Sequence, residues 1–105
     1  LFILFACHFL ADFPLQGEWM AKEKYNVFKT QLGTIALIAH AFIQALVLGI
    51  AGAFLGLDFT ITFLVIGITH FIIDLAKIKG KLDVIQDQVL HGFVILILVS
   101  ITYLT

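Results

Sequence analysis

Four long apolar stretches divide this chain, and the polar residues inside them recur at helical rather than strand intervals. The stretches cover residues 1–13, 33–57, 59–78 and 84–104. They are long and do not alternate polar with apolar positions, which predicts helices and no strands. A helix needs roughly 20 residues to cross the hydrocarbon of a bilayer, and the last three runs reach that length. The first run opens at Leu1 in mid-pattern and stops before Pro14, which disfavours helix in the residue preceding it. We expect it to be the visible part of a longer span. A signal peptide is a poor reading of it, because it lacks a basic leading region and already carries His8 and Asp12.

The punctuation between runs agrees. Asp58 stands where the third helix should start, as an N-cap. Asp83 followed three residues later by Gln86 reads as a capping box opening the fourth. Gly80 suits the end of the third. Residues 18–31 mix charges with Trp19, Met20, Tyr25 and Phe28. That mixture predicts a short interfacial helix with Trp19 anchored at headgroup level. The expected fold is all-α: a four-helix transmembrane bundle filling one domain over 1–105, with the interfacial helix between spans one and two. Gly49, Gly52, Gly56, Gly67 and Gly92 supply small contacts for close helix approach.

Composition identifies the medium. Hydrophobic residues make up 62% of the chain and charged residues 12%, against about 25% charged in soluble domains. Net charge is −1 and there is no arginine, so nothing favours a nucleic-acid partner; the partner is the lipid bilayer. The single cysteine, Cys7, forms no intrachain disulfide and reads as small apolar packing. All six lysines (Lys22, Lys24, Lys29, Lys77, Lys79 and Lys81) fall between runs one and two or between runs three and four. In a four-span protein those two loops share one side. The positive-inside rule places them in the cytoplasm and both termini outside, as in a bacterial inner membrane.

Within the apolar runs, His8 pairs with Asp12, His70 with Asp74, and Asp87 with His91, each four residues apart, while His40 stands alone in run two. Residues four apart share one helix face. Counted from the lysine-bearing edge, the histidines lie roughly 10–14 Å deep in all four runs. Runs one and three travel toward that edge and place Asp after His; run four travels away and places it before. The aspartates therefore form a second layer about 6 Å nearer the cytoplasm. Run two supplies no acid, because the corresponding position is Ala36; Gln44 lies on the same face as His40, one turn the other way.

Ionisable residues inside a membrane are expensive and mark functional sites, and seven converging ligands point to metal. The expected set is His8, Asp12, His40, His70, Asp74, Asp87 and His91. Imidazole and carboxylate together suit a divalent transition metal, zinc first, rather than magnesium or calcium. Seven ligands exceed the needs of a single catalytic zinc. They imply either two ions about 3.5–4 Å apart or one ion with additional hydrogen-bonding partners. Asp12 and Asp87 are the candidate general bases. Gln16, Lys77 and Gln88 lie where the site should open and are candidate substrate contacts.

The segments His8-Phe-Leu-Ala-Asp12-Phe-Pro-Leu-Gln16, His70-Phe-Ile-Ile-Asp74 and Asp87-Gln88-Val-Leu-His91 resemble a family of small bacterial and phage membrane proteins catalogued as a domain of unknown function. The likeness covers nearly the whole chain. More distantly, the pattern is similar to inner-membrane proteins described as membrane-bound metal-dependent hydrolases, a resemblance that implies the same seven site residues. The function expected is hydrolysis of a phosphoester or ester near the cytoplasmic interface. Two other readings stand beside it: a metal-ion or proton carrier using the same ligands, and a membrane interaction protein without turnover.

Overall fold

The computed structural model describes residues 2–12 and 17–104. They form α1 (Phe2–Asp12), α2 (Gly17–Glu23), a 3-10 turn (Lys24–Asn26), α3 (Gln31–Phe54), α4 (Phe59–Ile78) and α5 (Val84–Leu104). No strand occurs among the described residues. Helices α3, α4 and α5 are long and apolar enough to cross a membrane, whereas α1 is an apolar helix of 11 described residues. The expected interfacial element is α2 with its 3-10 extension, and Trp19 on it is exposed.

Caps set the boundaries. The Asp58 carboxylate accepts from the Ile61 N–H at 2.9 Å. Asp83 and Gln86 exchange hydrogen bonds of 2.8 and 3.1 Å, the reciprocal pair the sequence led us to expect. Helix α3 departs from the predicted 33–57 at both ends. It begins at Gln31 because the Thr30 hydroxyl accepts from the Gly33 N–H at 2.9 Å, a cap not anticipated. It ends at Phe54 because Gly56 turns to φ 92°; the Gly56 N–H then reaches Ala53 O, and Leu57 N–H reaches Gly52 O at 2.8 Å. Gly80 ends α4 in the same way, at φ 79°.

The four longer helices close a ring: α1 packs on α3 and α5, and α4 packs on α3 and α5. At the end nearer the α3–α4 turn, the ring is filled by Leu4, Leu48, Leu57, Ile66, Ile95 and Leu98, with Cys7 packed partly buried beside them. Gly33 lies so close to the 3-10 turn that a Cβ would overlap the Asn26 carbonyl. This contact holds the Lys24–Asn26 turn against the start of α3. Large apolar side chains such as Phe42, Ile61, Ile68 and Phe93 point outward, while the four histidines, Asp12, Asp74, Asp87 and Gln44 are buried inside. That inversion costs little in lipid and would be unfavourable in water.

Candidate metal centre

Because the His/Asp pairs sit one helical turn apart on inward faces, ring closure brings all of them together. His8, Asp12, His40, His70, Asp74, Asp87 and His91 are each at most 4% exposed. The imidazoles form the expected layer. Ring centroids lie 4.7 Å apart for His40 and His70, 4.0 Å for His70 and His91, and 5.1 Å for His8 and His91.

Two overlapping sets of side chains could hold a metal ion: Asp12, His40 and His70, and His70, Asp74 and His91. In the first, His40 Nε2 lies 2.8 Å from His70 Nε2 and 3.1 Å from Asp12 Oδ1, and His70 Nε2 lies 3.7 Å from that oxygen. In the second, His70 Nε2 lies 3.6 Å from Asp74 Oδ2 and His91 Nε2 lies 3.4 Å from Asp74 Oδ1. Asp87 Oδ1, outside the set, lies 3.4 Å from His91 Nε2. Ligands bound at about 2.0–2.1 Å in a tetrahedron are separated by about 3.3 Å. The observed separations bracket that value.

Hydrogen bonding makes the same point. His91 Nε2 and Asp87 Oδ1 are buried and neither has a hydrogen-bond partner. A buried polar atom left unpaired is costly; a cation held by His91 Nε2, with a water donating to Asp87 Oδ1, would satisfy both. His40 Nε2 faces Asp12 Oδ1 and Asp74 Oδ2, each at 3.1 Å, and also His70 Nε2. One imidazole N–H cannot serve three acceptors. The acid missing from α3 at Ala36 is thus supplied to His40 by α1 and α4.

The polar neighbours occupy unexpected positions. Gln88, anticipated at the mouth, lies inside the cluster. Its Nε2 donates to Asp12 Oδ2 at 2.7 Å and Asp87 Oδ2 at 3.0 Å, and its Oε1 is 3.1 Å from His8 Nε2. It ties α5 to α1 and orients two carboxylates and one imidazole. His8 lies 3.9 Å from Asp12 Oδ2 and belongs to neither ligand set. Gln44 donates to the His8 carbonyl at 3.0 Å. Lys77 lies 3.9 Å from Asp87 Oδ2 with its side chain 20% exposed. Gln16 lies outside the described residues.

Sequence reasoning missed Lys24. Counted there among the loop lysines, it is buried, and its Nζ donates to Asp74 Oδ2 at 3.2 Å. No local pattern marks it; only the fold of the 3-10 turn against α3 carries it inward. The same contact joins the loop after α1 to the C-terminal half of α4, so both lysine-bearing loops meet at one end of the ring.

Space at the centre is small. A cavity of about 10 Å³ touches His8, His70 and His91 and is otherwise lined by Leu48, Ile66, Thr69, Val94 and Ile95. That is room for about one water or ion.

The chain belongs to the family described as a protein of unknown function (DUF3307), whose profile matches residues 1–105. No curated protein and no solved structure matches it.

Proposed function

We propose, for a family whose membership carries no activity, that this protein is a metal-dependent hydrolase of the bacterial inner membrane, acting on a phosphoester or ester at the cytoplasmic headgroup layer. In this reading α1, α3, α4 and α5 form a four-span bundle, with both lysine-bearing loops cytoplasmic and both termini outside. The observation that carries it is the convergence of two buried ligand sets on His70, an arrangement suited to zinc. One imidazole nitrogen serves one ion at a time, so the sets are alternative seats for an ion. Two ions at once would need His70 to bridge through both ring nitrogens. A bound divalent ion would polarise the scissile group and bring the pKa of a water toward about 7.

The protein's own groups have definable parts. Asp12, His40 and His70 would hold an ion at one seat, or His70, Asp74 and His91 at the other. Asp87 Oδ1, without a hydrogen-bond partner, accepts the proton of the attacking water. Gln88 aims Asp87 and Asp12 through its two donated hydrogen bonds. Polar groups approach the cluster from the lysine end, while Leu4, Leu48, Ile66, Ile95 and Leu98 close the other. An enzyme tolerates such a plug, whereas a carrier needs a polar path through it; this favours the enzyme over the carrier.

The test compares zinc-loaded protein in two assays: release of product from phospholipids or a chromogenic phosphomonoester, and ion flux across liposomes. Product without flux is expected. Flux with every substrate intact would overturn the proposal.

A further inference from the structure

Two ammonium groups lie against carboxylates of the cluster, one on Asp74 of the second ligand set and one on Asp87 beside it. Lys24 Nζ is 3.2 Å from Asp74 Oδ2, with its side chain 6% exposed. Lys77 Nζ is 3.9 Å from Asp87 Oδ2. Between them runs a continuous chain of contacts, from Asp74 Oδ1 to His91 Nε2 and on to Asp87 Oδ1, each step 3.4 Å. The lysines come from different segments, the 3-10 turn and the last turn of α4. Each reaches one of these acids, Lys24 Asp74 and Lys77 Asp87, from the end of the ring where Lys77 is partly exposed.

Burying a lysine stem and its ammonium is costly, and a loop that only needed positive charge for topology could leave it in water, as Lys22 is left. The charge count gives the burial a use. Three carboxylates (Asp12, Asp74 and Asp87) against two ammoniums leave a single negative charge when the imidazoles are neutral. One divalent ion turns that into one positive charge, and two leave three. A site so loaded attracts a multiply charged anion and has little to offer a neutral ester. Lysine ammoniums, as compact point charges, bind phosphate oxygens well without a fixed fork geometry.

We infer that Lys24 and Lys77 form an anion clamp beside the metal centre, and that the group it takes is the dianionic phosphate of a phosphomonoester. The inference rests on the metal reading above and deepens it: Lys24 becomes a substrate-binding residue, and carboxylic esters drop out of the substrate class. The same phosphate could be a lipid headgroup, as in phosphatidate, or belong to a soluble compound.

The experiment is calorimetric titration of inorganic phosphate into the zinc-loaded full chain in phosphatidylcholine nanodiscs, with zinc content measured on every sample. Wild type should bind phosphate. Lys24→Met should bind it about tenfold or more weakly with zinc retained, the effect of losing one charge-assisted hydrogen bond. Lys24→Arg should restore most of the affinity, and Lys22→Met should change nothing. Lys77→Met gives the same reading if Lys24→Met does not fold. Weaker phosphate binding in discs containing phosphatidate assigns the clamp to a lipid headgroup; equal binding in both discs assigns it to a soluble phosphomonoester. Unchanged affinity in zinc-replete Lys24→Met or Lys77→Met overturns the clamp and leaves the metal reading standing. A wild type that holds no zinc removes both.

Discussion

His40 and His70 bring their Nε2 atoms to 2.8 Å of one another across the α3–α4 contact. Both nitrogens also face Asp12 Oδ1. The two imidazoles therefore converge on one point instead of each serving its own helix. His70 faces a second point as well, on the side of Asp74 and His91. This double role makes the three histidines unequal, and the inequality can be measured.

Elemental analysis of protein purified without chelator should find about one or two equivalents of a transition metal, zinc foremost. His70→Ala should lose all of it. His91→Ala, in one set only, should keep the ion held by Asp12, His40 and His70. Equal metal loss in both variants would contradict the assignment of two sets sharing one ligand.

Asp87→Asn should leave zinc content near wild type and lower turnover by about 10²–10⁴-fold, the usual contribution of a general base. Asparagine keeps the shape but cannot accept the proton. Asp12→Asn removes a ligand oxygen as well and should lower both metal content and rate. Full activity in Asp87→Asn would remove Asp87 as base.

Single cysteines introduced in a Cys7→Ser background report topology. Cysteine at Lys22, whose side chain is exposed, or at Lys79 should label from the cytoplasmic side, and cysteine at Asp58 only from outside. Cysteine at Lys24 should react slowly with aqueous reagents from either side, because that position is buried. Labelling of Lys22 and Lys79 from opposite faces would break the shared-end arrangement.

Gly33→Ala should destabilise the protein by about 1–3 kcal/mol in thermal unfolding, as overpacking does, since the new methyl would overlap the Asn26 carbonyl. Gly67→Ala, where the added Cβ would lie 3.3 Å from that of Ala45, should cost less. If Gly33 positions the 3-10 turn that carries Lys24, Gly33→Ala should also weaken phosphate binding while Gly67→Ala does not.

Much of this architecture is local and so could be read along the chain. Helical runs 59–78 and 84–104, the Asp58 cap and the Asp83–Gln86 box depend on residues within a turn or two of one another. The same holds for the His/Asp pairs: helical periodicity alone places His70 above Asp74, and the direction of travel alone explains why Asp87 precedes His91. Packing decided the rest. That Asp12 and Asp74 supply the acid α3 lacks at Ala36, that His70 serves two sets, and that Gln88 bridges α5 to α1 all depend on which helices adjoin and how they rotate. Lys24 shows the limit most clearly. A lysine among charged neighbours has the same local signature whether solvated or buried, and only the seating of the 3-10 turn against Gly33 brings its ammonium to Asp74.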